Sequence, residues 1–169
     1  EFVRALELKP DFTDAQLGLG LAWLNQDRLG DAAACFRKAI TLKPDLVLAH
    51  YNLGLILIRQ DRLEEAAASY RQALLYKPDF AEAHQNLGMV ISRQDRLSEA
   101  MDCYHRALAL DPRLVSAHYN LALALNNLGR FGESEQSYLR VLALAPDHIE
   151  ARLDLILLYG DLGRVDEAV

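Results

Sequence analysis

The stretch Ala81–Leu114, AEAHQNLGMVISRQDRLSEAMDCYHRALALDPRL, decides how the rest of the chain is read. Moved 34 residues toward the N-terminus it falls on Val47–Phe80, and moved again, on Thr13–Leu46. Moved the other way it falls on Val115–His148. Pro10, Pro44, Pro78, Pro112 and Pro146 keep the same spacing. Such a period means helical hairpins, each too small to bury a core alone and each packed on its neighbours. The expected division is residues 1–12 as the second-helix remnant of a preceding repeat and 13–46, 47–80, 81–114 and 115–148 as full repeats. Residues 149–169 then form a truncated fifth. A chain that opens and closes inside a hairpin is expected to be an excerpt from a longer array.

The second repeat shows the pattern inside each unit. Ala49, Leu53, Ile56 and Leu57 recur at three- and four-residue spacing, which predicts a helix over about Leu46 to Gln60 with one apolar face. A turn is expected at Asp61-Arg62 and a second helix over about Leu63 to Tyr76, closed by Pro78. The turn needs a left-handed residue, which Gly129 and Gly163 supply late in the chain and Asp27, Asp61 and Asp95 earlier. Asp79 with Glu82, and Asp147 with Glu150, read as capping boxes, and Arg113 predicts a less well capped start. Gly20, Gly54 and Gly88 stand in mid-helix, where glycine costs about 1 kcal/mol relative to alanine. They predict a close helix crossing, with Ala32, Ala66 and Ala100 opposite and Phe36, Tyr70, Tyr104 and Tyr138 beside them.

Hydrophobic residues make up 51% of the chain and charged ones 25%, enough apolar material for a folded protein. No run of eighteen apolar residues exists to span a membrane. The net charge of −6 argues against nucleic acid, whose binders carry a basic face. Cys35 and Cys103 lie two repeats apart, roughly 20 Å on helix-packing distances, too far for a disulfide. They are expected to be small buried thiols, equivalent to Ser69 and Ser137. His50, His84 and His118 recur one repeat apart, about 10 Å, which excludes a shared metal ion and assigns them to packing. His105 and His148 read as single surface histidines. No phosphate loop, catalytic triad or metal cluster emerges from the periodic layout, so neither enzyme activity nor a cofactor is expected. The compartment stays open, with the cytoplasm favoured.

The third repeat supplies His84, Leu87-Gly88, Ile91, Ala100, Tyr104, Ala107 and Pro112, and the first Gln16, Leu19-Gly20, Trp23, Ala32, Phe36, Ala39 and Pro44. On these residues the chain resembles the tetratricopeptide repeat family. The resemblance implies an all-α, right-handed α-solenoid whose first helices line a concave groove that binds peptides or proteins. It makes the second, fifth, sixth, ninth, twelfth and thirteenth places of each repeat groove-facing.

Those places hold Asn52, Asn86 and Asn120 (sixth), Tyr51, Gln85 and Tyr119 (fifth), and Leu55, Met89 and Leu123 (ninth). Arg59 and Arg93 stand at the thirteenth. An asparagine donates and accepts, so a row of three suits the backbone of an extended peptide, each bond contributing about 0.5–1.5 kcal/mol. The run Ala-His-x-Asn-Leu is similar to the repeat arm of O-linked N-acetylglucosamine transferases, which implies the alternative of a substrate-recruiting arm of a larger enzyme. Leu48, Tyr51, Leu55 and Ile58 form an apolar stripe on the side not needed for hairpin packing. The family's clamp for acidic chaperone tails needs basic residues at the second, fifth and sixth places, and no repeat has one there. The expected partner is a protein or peptide; head-to-tail self-association through open repeat ends is a further alternative.

Overall fold

The computed structural model describes residues 13–164, whose regular structure is helical throughout. The described helices are α1 (Thr13–Asn25), α2 (Leu29–Leu42), α3 (Val47–Arg59), α4 (Leu63–Tyr76), α5 (Ala81–Arg93), α6 (Leu97–Leu110), α7 (Val115–Asn127), α8 (Phe131–Leu144) and α9 (Ile149–Asp161). The expected second-helix remnant at the start and the onset of a second helix after Arg164 lie outside the described residues. The chain divides into two compact units, Glu1–Ala83 and His84–Val169, with the boundary inside α5.

In the first unit α1 packs on α2, α3 on α4, and α2 on α3. The buried face of α3 includes Ala49, Leu53, Ile56 and Leu57, the residues whose spacing predicts it. In the second unit α6 packs on α7, α7 on α8 and α8 on α9. A cluster of Ala122, Tyr138, Val141, Ala151, Leu155, Leu158 and Tyr159 forms its last core, joining α7, α8 and α9.

Each hairpin turns through one left-handed residue. Asp27, Asp61 and Asp95 have φ of 62°, 58° and 61°, and Gly129 and Gly163 take 71° and 69°. The residue after the turn is an arginine at the helix N-cap in α2, α4, α6 and α8, with no side-chain cap bond. Its guanidinium reaches forward instead to an acid three residues on. Arg62 Nε donates to Glu65 at 2.7 Å and Arg130 Nε to Glu133 at 2.7 Å, while Arg28 and Arg96 pair with Asp31 and Glu99. Hydrogen bonding to arginine holds the Glu65 and Glu133 carboxyls below the usual range. These pairs are solvent-exposed and contribute little stability.

At Gly20, Gly54 and Gly88 the atom nearest to an added Cβ belongs to the expected aromatic ring. A Cβ at Gly20 would lie 2.7 Å from the Phe36 ring, at Gly54 2.8 Å from Tyr70, and at Gly88 2.6 Å from Tyr104. Ala32, Ala66 and Ala100 are fully buried nearby, and the Ala100 carbonyl oxygen is 3.0 Å from the Gly88 position. In α7 the small residue is Ala122, whose carbonyl accepts a bond from buried Ser134 Oγ at 2.8 Å. That bond is what makes a hydroxyl tolerable where the other repeats have alanine.

Three expectations are corrected. The N-caps of α3, α7 and α9 are Leu46, Leu114 and His148, so by register Asp79 and Asp147 stand one residue outside the cap. His148 Nδ1 accepts from Ala151 N at 3.2 Å, and this half-buried histidine is a cap, not a surface residue. Cys35 and Cys103 are not joined in a disulfide and are half-buried rather than buried, with Ser69 and Ser137 at the equivalent places donating to Glu65 O and Glu133 O. Burial, then the Asp31 charge, raises the Cys35 pKa.

Two of the fourth-place histidines, His50 and His118, hold the preceding link by a specific bond. His50 Nε2 donates to Pro44 O at 2.8 Å and its ring stacks on Tyr76. His118 Nε2 does the same to Pro112 O at 3.0 Å, and in the fifth repeat the Arg152 guanidinium bonds Pro146 O. A donor at this place fixes the angle between the proline link and the helix that follows, because the link carbonyl has no partner inside a helix.

Candidate functional site

In the first unit the first helices α1 and α3 carry the expected groove residues. Leu48 is 49% exposed and Leu21 is 37% exposed, while Leu55 and Ile58 are half-buried. Asn52 is buried, and its Nδ2 donates to Leu48 O at 2.7 Å within α3. Tyr51 is not free of the hairpin as the stripe reading has it. Its ring centroid lies 5.8 Å from Tyr70 on α4 and 4.8 Å from Phe80 in the following link. Arg59 is paired with Asp27, the left-handed residue of the preceding turn, so its charge is partly neutralised before any ligand arrives.

In the second unit Gln85 and Asn86 are buried on α5, and Met89 is half-buried. Arg93, at the end of α5, is exposed. On α7, Tyr119, Asn120 and Leu123 are half-buried. Tyr119 Oη donates to Asp154 Oδ2 at 2.8 Å, tying the fifth place of one repeat to the sixth place of the next. Its ring also lies 5.0 Å from that of His148. Sequence periodicity finds all of these positions but not their partners, because the tyrosine–aspartate bond joins unlike residues and breaks the repeat.

Burial, then the bond to Asp154 and its charge, pushes the Tyr119 pKa up to about 12. The folded chain therefore holds this proton where the unfolded chain has lost it. The contribution is present in full below about pH 10, the ordinary tyrosine value, and is lost as pH rises from there through about 12. Alkaline titration followed by tyrosinate absorbance is expected to show a late-ionising group that disappears in Tyr119→Phe. An unchanged titration in that variant would remove the assignment.

Among the described residues no group of three or more His, Cys, Asp or Glu side chains is placed to hold a metal ion. No described helix is long and apolar enough to cross a membrane.

Helical hairpins closed by left-handed turn residues, with Gly20, Gly54 and Gly88 each under an aromatic ring in the first three repeats, define an α-solenoid of the class used as interaction scaffolds. The family pattern described as TPR repeat matches residues 24–61, 54–95 and 92–129, and that described as tetratricopeptide repeat matches 115–148. The chain belongs to the tetratricopeptide repeat family, whose repeats are generally non-catalytic. Among solved structures it is similar to YrrB, described as a TPR protein with an unusual peptide-binding site, at 20% identity and TM-score 0.84, covering 99% of this chain and 87% of that one. It is similar to the MamA protein at 24% identity and TM-score 0.85, covering 92% and 85%. It is also similar to pilF of Pseudomonas aeruginosa at 22% identity and TM-score 0.87, covering 99% and 76%. No curated protein sequence matches the chain.

Proposed function

We propose that the chain is a protein-interaction scaffold whose first helices hold an extended peptide or protein segment. The observation that carries this reading is the exposure of leucine at groove places, Leu21 and Leu48 in the first unit and Leu153 and Leu157 in the second. Large apolar side chains left in water at these groove places suit an interaction site, and YrrB, of the same fold, is described as having a peptide-binding site. The asparagines act as secondary contacts. Asn52 spends one N–H on Leu48 O, and an amide has a second N–H and a carbonyl oxygen to offer.

Peptides selected by display on the whole chain supply the ligand for the test. Leu21→Ser with Leu48→Ser, or Asn86→Ala with Asn120→Ala, is expected to weaken binding of peptides held by the altered unit. Two amide bonds at about 0.5–1.5 kcal/mol each correspond to roughly a tenfold loss or more for the asparagine pair. The melting temperature is expected to hold nearly constant. A large fall in helix stability with the asparagine pair would make those amides structural, and binding indifferent to both pairs would remove the site from the first helices.

A further inference from the structure

The second unit contains a face whose polarity is not that of the first. On α9 the residues Glu150, Leu153, Leu157 and Asp161 follow one another at three- and four-residue spacing and so share one side of the helix. The opposite side, Ala151, Leu155, Leu158 and Tyr159, is buried in the core. Leu153 is 55% exposed and Leu157 65% exposed, and Glu150 and Asp161 are exposed. The neighbouring arginines are directed elsewhere, Arg152 to Pro146 O and Arg164 to Glu135. His148 Nδ1 accepts from Ala151 N at the start of the helix and lies 3.3 Å from the Glu150 carboxylate. Asp154 lies at the edge of the face with its carboxylate already engaged by Tyr119. What remains is an exposed leucine pair with a carboxylate at either end.

We propose that this face of α9 takes a peptide segment in which apolar side chains are flanked by lysine or arginine. The inference rests on the interaction-scaffold reading and names the chemical class of its ligand in the second unit. Leucine contact supplies affinity, and carboxylates at the rim select sign and speed encounter. From Glu150 to Asp161 the helix rises about 16 Å, which an extended chain spans in about five residues. The favoured ligand therefore carries basic residues about five positions apart with apolar residues between them. An acid-flanked ligand of the same shape meets like charge at both ends.

The test uses the whole chain and two fluorescein-labelled serine-glycine peptides, measured by fluorescence anisotropy. One carries two leucines between lysines spaced as above, and the other has glutamate in place of lysine. The lysine peptide is expected to bind about tenfold more tightly at low salt, and the difference to shrink as salt screens exposed charges. Leu153→Ser with Leu157→Ser is expected to abolish binding of the lysine peptide with the helical circular dichroism unchanged. Glu150→Gln with Asp161→Asn is expected to erase the preference while leaving apolar contact. Equal binding of the two peptides, or a lysine peptide that still binds the leucine variant, overturns the inference. If display-selected peptides nonetheless bind and respond to the first-helix variants above, the scaffold reading stands without it; if no peptide of any kind binds, both fall.

Discussion

Leucine in place of Gly54 is expected to lower the stability of the fold by about 1–3 kcal/mol, the usual cost of overpacking a filled interior. The reason is local and geometric. A single Cβ at this position would already stand 2.8 Å from Tyr70 Cε1 and Cζ, and leucine adds three more carbons beyond it. Tyr70 is fully buried, so its ring has no solvent-facing direction in which to yield. Alanine at the same place should cost less, because it recovers about 1 kcal/mol of helix propensity against the same clash. Gly30 and Gly132 provide the control, since nothing lies within 4 Å of a Cβ built at either. Alanine there should leave stability unchanged or slightly raised. Urea denaturation of the four variants, with the slope of the transition held constant, reads the difference. A Gly54→Leu protein as stable as the parent would mean that α3 and α4 do not approach as described.

The turn and crossing residues show how far such a fold can be read in advance. Asp61 and Gly129 were identifiable because a left-handed residue restricts chemistry to a short menu, and the repeat places it every 34 residues. Gly54 beside Tyr70 was identifiable as a close approach for a similar reason, and the aromatic ring makes the nearest contact. What periodicity does not carry is pairing between unlike residues. The N-cap of α9 is His148, where the other repeats have leucine or phenylalanine, and its role depends on one imidazole nitrogen meeting one backbone N–H. Arg59 looks like a groove residue by register, yet Asp27 reaches it from the preceding turn. Asn52 is read as a ligand contact from its chemistry, while its burial and its bond to Leu48 O follow only from the helix around it. The scaffold was legible because each of its parts recurs; the state of the site was not, because its partners are supplied by positions that differ from repeat to repeat.

The larger loss is expected from Tyr138→Ala, at about 3–5 kcal/mol for removing a buried aromatic side chain. Tyr138 is 1% exposed and sits in the cluster that joins α7, α8 and α9. Its ring lies 6.1 Å from that of Tyr119, which in turn holds Asp154. Truncation therefore empties the space between α7 and α8 and withdraws the support of the bond that reaches α9. Phenylalanine keeps the ring and should cost far less, since it removes only the hydroxyl. Repeat arrays fold through nearest-neighbour contacts and have no single centre, so the damage is expected to concentrate around the cavity. Hydrogen exchange in Tyr138→Ala should accelerate first in α8 and α9, whose backbone amides are otherwise protected by this core. A uniform acceleration from α1 to α9 would show that the chain unfolds as one cooperative body and that the Tyr138 cluster is not the local keystone of its unit.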